Sequence, residues 1–265
     1  MKISYIILTW NSEKYIKKCL DSILNIQQFN NNIVVIDNGS SDSTCKILKK
    51  YEPKIKNIFL DKNIGTTKSR NIGIKNADKD SDYICILDSD TEVNFNAINK
   101  LVNTLKNNEI GIVGPKMITS SGIIQKSGRK FPTIKIKMYK AFPSKKIQQK
   151  GEELESYNFN NNKDIYEVDY LMSACWLMRK EIFEKIGYFD ENIFYAPEDV
   201  DYCARVWQAG YKVIFCKDVQ IIHEWQRISK KKFISKMNYE HIKGLRYYFK
   251  KYGYINNSEK IKNRR

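Results

Sequence analysis

The chain has 265 residues, 42% of them hydrophobic and 29% charged, and carries a net charge of +16. That composition excludes a disordered chain, and the length admits one large α/β domain with or without an appendage. No stretch approaches the length of a membrane span, and the apolar residues 3–8 lack the shape of a signal peptide.

The charge is unevenly placed. Residues 126–150 hold nine Lys/Arg and no acid, and residues 226–265 hold thirteen Lys/Arg against two acids, so the remainder is mildly acidic at −4. That argues against a nucleic-acid-binding core, and no nucleic-acid partner is expected. Instead one internal segment and one tail are suited to meet something anionic. The six cysteines, at positions 19, 45, 85, 175, 203 and 216, form no C-x-x-C pair. They read as small buried residues with reduced thiols in a cytoplasmic protein.

In chain order, residues 2–9 read as a first strand. Trp10-Asn11-Ser12 breaks it, and Ser12 is placed to cap a helix running to about residue 26, with Ile16, Leu20, Ile23 and Leu24 on one face. Residues 33–36 form a second strand ending at Asp37-Asn38-Gly39-Ser40-Ser41-Asp42, where Ser41 or Asp42 is placed to cap a helix over 43–51. Residues 55–60 are a third strand, Asn63-Ile64-Gly65 a turn and 66–76 a helix. The apolar run 83–87 then leads to Asp88-Ser89-Asp90. Strands alternating with helices at this spacing predict a doubly wound, mostly parallel sheet.

The second half changes character. Residues 110–113 read as a strand and 117–125 as a hairpin around Ser120-Ser121-Gly122. Residues 128–162, with little periodicity, read as a long loop. Then come a strand over 168–178, a short helix over 180–186 and a helix over 197–209 closed by Gly210. Strands over 212–216 and 219–222 follow, the last ending at His223. From residue 229 a basic, Tyr-rich amphipathic helix is expected.

The chemistry gathers at strand ends. Asp88 and Asp90 place two hard oxygen donors where open α/β sheets bind ligands, which suits Mg2+ or Mn2+ shared with a phosphate. Dinucleotide and P-loop readings fail, since neither G-x-G-x-x-G nor G-x-x-x-x-G-K-[ST] is present. Trp10 offers an aromatic face for a base and Asp37 an acceptor for an imide N–H; equally, they suit a core and a turn position. Glu198-Asp199-Val200-Asp201 opens a helix. Its carboxylates either complement the helix dipole, with Asp201 pairing Arg205, or supply a general base facing the ligand edge. His223 is either structural or a further nitrogen ligand beside Asp90.

Together these parts resemble the inverting glycosyltransferases of sequence family 2, with the GT-A fold, and among them the rhamnosyltransferase-like members. The resemblance covers residues 3–228. It rests on Ile6-Ile7-Leu8-Thr9-Trp10-Asn11; on Val35-Ile36-Asp37-Asn38-Gly39-Ser40-Ser41-Asp42; on Asn63-Ile64-Gly65 with Arg70-Asn71-Ile72-Gly73; on Leu87-Asp88-Ser89-Asp90; on Arg179-Lys180-Glu181-Ile182-Phe183 with Gly187-Tyr188-Phe189-Asp190-Glu191; on Glu198-Asp199-Val200-Asp201 with Arg205 and Gly210-Tyr211; and on His223, in that order.

The resemblance implies a metal-dependent transfer of a sugar from a UDP- or dTDP-sugar, rhamnose among the candidates, to a hydroxyl of a glycan or lipid-linked glycan. It implies nucleotide-sugar contacts from Thr9, Trp10, Asn11, Asp37, Asn38, Gly39, Asn63, Gly65, Arg70, Asp88 and Ser89. Mn2+ or Mg2+ would be held by Asp88, Asp90 and His223. Asp199 would be the catalytic base, Glu198 would lie beside it, and Trp176, Glu198 and Asp201 would face the acceptor. Two departures, Ser173-Ala174-Cys175-Trp176 where many relatives have a glycine and Glu224-Trp225-Gln226-Arg227 after His223, both fall on the sugar and acceptor side. The expected organisation is a catalytic domain over 1–228, with a nucleotide-binding half (1–115) and an acceptor half (116–228), followed by a tail over 229–265. The tail and the 126–150 segment would hold a cytoplasmic protein peripherally on the anionic inner face of the membrane. Two other readings are weaker. A degenerate GT-A domain serving as a glycan- or membrane-binding module is opposed by the intact Asp88, Asp90, Asp199 and His223. A sugar nucleotidyltransferase is opposed by the missing Gly-rich, Arg-containing first loop.

Overall fold

The computed structural model describes residues 1–159, 163–225, 236–255 and 257–263. The first half follows the predicted alternation: β1 (Lys2–Thr9), α1 (Ile16–Leu24), β2 (Asn30–Asp37), α2 (Thr44–Lys49), β3 (Lys56–Phe59), α3 (Thr66–Lys75) and β4 (Tyr83–Asp88). There follow β5 (Thr91–Glu92), α4 (Phe95–Thr104), β6 (Ile110–Ile118), β7 (Ile124–Gln125), β8 (Gly128–Arg129), α5 (Ile134–Ala141), α6 (Lys145–Glu155), β9 (Ile165–Glu167), β10 (Tyr170–Leu171) and β11 (Cys175–Arg179). The chain closes with α7 (Lys180–Ile186), α8 (Glu198–Gln208), β12 (Lys212–His223), α9 (Lys236–Tyr252) and α10 (Asn257–Lys262).

The main sheet runs β3-β2-β1-β4-β11-β6-β12-β5. β1 to β4 pair in parallel, β11 is antiparallel to both β4 and β6, and β12 returns parallel to β6. The carboxyl ends of β1, β2, β4 and β12 therefore share one edge with the start of β11. Both sheet faces are covered. In β1, Ile3, Tyr5 and Ile7 pack with Ile16 and Leu20 of α1 and Ile98 and Leu101 of α4, while Ile6 packs into a second core with Ile74, Phe183, Tyr202 and Tyr248. Strands buried on both faces read as near-continuous apolar runs, which is how residues 3–8, interrupted by Ser4, and 83–87 read.

Several expectations change. Ser12 does not cap α1 with its side chain; its backbone carbonyl accepts from Tyr15 and Ile16, and its hydroxyl accepts from Ser89. Asp42 does reach back to its helix, accepting from the Thr44 N–H at 2.9 Å. The sequence reading assigns no element between Asp90 and Ile110, yet α4 lies there, capped by Asn94 accepting from Ala97. Residues 128–162 are not one loop. They contain α5 and α6, fastened by Glu155, which is fully buried and meets Arg129, Lys137 and Lys140. The stretch lacks an apolar stripe because ion pairs, not an apolar face, bind these helices together. Residues 168–178 divide into β10 and β11 around Met172-Ser173-Ala174. The strands read over 212–216 and 219–222 are one strand, β12, with a register shift after Cys216.

The first part of the expected tail helix, through residue 235, and the boundary at 228 lie outside the described residues. The rest, α9, docks by its apolar face: Tyr248, Phe249 and Tyr252 are buried. Its Tyr247 and Lys251 reach Asp190, and Lys251 and Tyr252 reach Asp201. Tyr239, Ile242, Lys243, Arg246 and Lys250 stay exposed. Among the described residues no helix is long and apolar enough to cross a membrane.

At Gly244 the α9 backbone presses on the loop before α8; a Cβ there would sit 2.1 Å from the Ala196 carbonyl oxygen. Valine is no worse a helix former than glycine, so any loss in Gly244→Val comes from that contact. Gly244→Val is expected to cost about 1–3 kcal/mol, as overpacking does. Thermal unfolding should come several degrees earlier and trypsin should release the tail, while Lys243→Val changes neither. Wild-type melting and proteolysis of Gly244→Val would show that α9 is not held there.

Candidate active site

The shared strand edge opens into a cleft of about 300 Å3. It brings together Trp10 after β1, Asn38 after β2, Asn63 and Gly65 before α3, Arg70 on α3, and Asp88, Ser89 and Asp90 at the end of β4. Glu198 and Asp199 at the start of α8 and His223 at the end of β12 complete that set. Residues more than a hundred positions apart thus meet because four strand ends and two helix starts face one edge.

His223 reaches Asp90 through the sheet: β12 pairs with β5 so that His223 stands opposite Thr91. Its Nε2 lies 3.4 Å from Asp90 Oδ1, and one ligand atom each from Asp88, Asp90 and His223 fall within 4.8 Å of one another. Burial, with Asp90 alongside, holds the Asp88 carboxyl above its ordinary range although Arg70 opposes it. For His223 burial pulls the pKa down, but the hydrogen bond and charge of Asp90 outweigh it and the net shift is upward. Two carboxylates and one imidazole converging this closely fit a hard or borderline divalent cation such as Mg2+ or Mn2+.

Arg70 is 2% exposed and joins the two ends of the cleft. It bonds Asp88 at 2.8 Å, Glu198 at 3.1 Å and the Ser173 hydroxyl at 2.8 Å, and its guanidinium stands 5.7 Å from the centre of the Phe189 ring. Burial and the adjacent Asp199 push Glu198 up to about 8, against the pull of Arg70. Burial raises Asp199 to about 6, opposed by the Val200 N–H that it accepts at 2.8 Å. Asp199 is only half-buried and lines the cleft. A carboxylate open to the cleft with a pKa near 6 is suited to take a proton at neutral pH.

The opposite end is built from two stitched loops. Asn11, at φ +51°, donates its N–H to Ser40 and accepts from the Ser41 N–H. Asp37 is 1% exposed and its carboxylate accepts from the Ser40 N–H and hydroxyl. Asn38 ties Asn63, Ile64 and Gly65 to this edge. Gly65, at φ +95°, starts α3 where a Cβ would meet the Phe194 carbonyl at 2.5 Å. Thr9 is buried as well, so Thr9, Asn11, Asp37 and Gly39 build the edge from behind while Trp10, half-buried, faces the cleft.

Two predicted acceptor-side residues lie elsewhere. Trp176 is fully buried among Phe189 and Tyr202, because alternation along β11 turns it into the second core. Asp201 is 1% exposed and spends its oxygens on Arg205, Lys251 and Tyr252, because it lies on the side of α8 that packs on α9. The sequence reading also missed residues that build the site: Ser173 between Arg70 and Glu198, the lining residues Met172, Phe194 and Tyr195, and Gln125, which bonds the His223 ring. Only Ser173 carried a signal, as the departure from a glycine.

A family model described as Glycosyl transferase family 2 matches residues 4–187. The chain is similar to a low-salt glycan biosynthesis hexosyltransferase from Haloferax volcanii, at 25% identity over 83% of this chain and 66% of the relative. It is also similar to a dTDP-rhamnosyl transferase from Shigella flexneri, at 26% identity over 82% of this chain and 67% of the relative. The chain thus spans about two thirds of the length of these curated relatives. Among solved structures it shares its fold with GalNAc-T7 crystallised with UDP, GalNAc and Mn2+, at TM-score 0.68, 17% identity, 94% of this chain and 47% of that one. Residues 1–349 of TarS from S. aureus in complex with UDP-GlcNAc superpose at TM-score 0.58, with 20% identity over 89% of this chain and 62% of that one.

Proposed function

The chain belongs to glycosyl transferase family 2, and from that membership we propose that its cleft transfers one sugar from a UDP- or dTDP-sugar to a hydroxyl of a glycan or lipid-linked glycan, with inversion. The observation that carries this is the meeting of Asp88, Asp90 and His223 with Asp199 on one cleft. A dTDP-rhamnosyl transferase among the relatives and UDP or UDP-GlcNAc in the fold neighbours support the donor class.

In this reading Trp10 stacks on the base, and the loop organised by Asn11, Asp37 and Asn38 holds the nucleoside. Asp88, Asp90 and His223 would hold a divalent cation, which would supply neutralisation for the charge that grows on the departing diphosphate. Arg70 does not meet the diphosphate as a free cation; it orients Asp88 and Glu198. Asp199 takes the proton from the acceptor hydroxyl as that oxygen bonds to the anomeric carbon from the face opposite the leaving group. The bond from that carbon to the diphosphate oxygen breaks, and its electron pair leaves with the phosphate. One displacement with one base inverts the centre, the logic that holds for inverting hydrolases.

Calorimetry with UDP and dTDP is expected to show binding that needs Mn2+ or Mg2+. Asp90→Ala should abolish the metal dependence and His223→Ala weaken it. Nucleotide binding by Asp90→Ala with unchanged metal dependence would remove the cation assignment.

Asp199→Asn should keep donor binding and lose about 10²–10⁴ in turnover. A base with a pKa of about 6 must be ionised to act, so wild-type turnover should fall as pH drops below about 6, roughly tenfold per unit. That acid limb should vanish from the residual rate of Asp199→Asn. Full turnover in Asp199→Asn would move the base to Glu198.

The same proposal places the enzyme on anionic lipid, near a lipid-linked acceptor. The inner side of α9 packs on the domain, so the outward stripe of Tyr239, Ile242, Lys243, Arg246 and Lys250 is the surface on offer. Ile134, Met138 and Phe142, exposed in the basic 126–150 segment, add apolar side chains for an interface. Each basic side chain near an anionic surface contributes about 1 kcal/mol, so reversing Lys243, Arg246 and Lys250 to Glu should lower liposome partitioning by about a hundredfold or more. Flotation should require anionic lipid and weaken with salt. Wild-type protein that ignores anionic liposomes at low salt would point to a soluble acceptor.

A further inference from the structure

Gln125 ends β7, the short strand that folds back on β6 opposite Met117. It is 4% exposed and does not line the cleft. Both ends of its amide are spent on one residue of another strand. The amide nitrogen donates to the His223 carbonyl at 2.6 Å, and the amide oxygen lies 2.6 Å from His223 Nδ1.

The first of these bonds decides the second. A carbonyl oxygen only accepts, so the NH2 of the amide must face it, and the amide oxygen is left for the ring. An amide oxygen has no proton to give, so Nδ1 carries the proton. A neutral imidazole has one N–H, which leaves Nε2 with a bare lone pair. Nε2 is the atom 3.4 Å from Asp90 Oδ1, in the group that includes Asp88. A lone pair and a carboxylate oxygen at that separation repel each other unless a proton or a cation stands between them.

We propose that Gln125 is a positioning residue for the cation site: it locks His223 in the Nδ1–H tautomer and aims Nε2 at the Asp88–Asp90 pair. Among the described residues both of its side-chain hydrogen bonds go to His223, so it acts through that ring. The proposal rests on the reading of Asp88, Asp90 and His223 as a cation site. Partners of this kind, which hold a ligating imidazole by its far nitrogen, typically change metal affinity by about 10–100-fold when removed.

The chain has two histidines, so the imidazole 15N spectrum of the metal-free full chain is assigned by one His241→Gln variant. With the ring neutral, wild type should show His223 as the Nδ1–H tautomer. Gln125→Met should show a mixture with the Nε2–H form, and its Mn2+ dissociation constant, read by electron paramagnetic resonance, should rise about 10–100-fold. Gln125→Glu keeps an acceptor for Nδ1–H but loses the donor to the backbone; it should retain the tautomer and bind Mn2+ close to wild type. That rescue separates ring positioning from a purely structural strand contact, and it serves as the test if Gln125→Met does not fold. A wild-type Nε2–H tautomer overturns the proposal, as does Gln125→Met binding Mn2+ as tightly as wild type, or Gln125→Glu losing the tautomer. Wild-type protein that binds no Mn2+, with the tautomer as stated, instead overturns the cation reading on which it rests.

Discussion

The buried Arg70 guanidinium is the interaction on which the cleft depends. At 2% exposure it holds a charge out of water, which is stable only while Asp88, Glu198 and Ser173 surround it. Removing one partner of such a group typically costs about 3–5 kcal/mol, because the other charges are left uncompensated. Through that cation, α3 ties the end of β4 to the start of α8. That one side chain therefore bridges Asp88, a carboxylate of the proposed cation site, and Glu198, the neighbour of the proposed base.

Around that clamp, α3 also holds the segment that delivers α8. Its Thr66 N–H and Thr67 hydroxyl bond the carbonyls of Phe194 and Ile193, and Asn71 bonds Phe189 and Glu191. From the other side α9 presses on the same segment through Gly244, Tyr247 and Lys251. The catalytic carboxylate proposed here therefore sits on a segment held between two helices. The tail is part of that support, with its remaining basic and apolar side chains turned outward.

Burial raises the two adjacent carboxyls at the start of α8 against the pull of the Arg70 clamp. Glu198, nearly buried against Arg70, and Asp199, more open to the cleft, are adjacent in sequence, and burial raises both, to about 8 and about 6. Glu198 is held by Arg70 and Ser173, while Asp199, half-buried on the cleft, is the carboxylate to which the proposal gives the base role.

Much of this was legible in the residues. The apolar runs of β1 and β4, the turn-rich end of β2 and the Asp88-Ser89-Asp90 triplet are local signals, because burial on both faces and chain reversal demand those residue types wherever they occur. The pairing of His223 with that triplet was legible only as chemistry seeking a partner. Tertiary structure decided the rest. Helices α5 and α6 depend on Glu155 gathering Arg129, Lys137 and Lys140, contacts with no apolar period to betray them. Trp176 and Asp201 face away from the cleft because the packing of β11 into the second core and the docking of α9 choose their sides; of these contacts only the Asp201–Arg205 pair was legible locally. Gln125 stands 98 residues from His223; only the pairing of β7, β6 and β12 puts an amide against that ring, so no local pattern marks it. Sequence by itself determined which side chains were available for the chemistry, and long-range packing determined which of them meet.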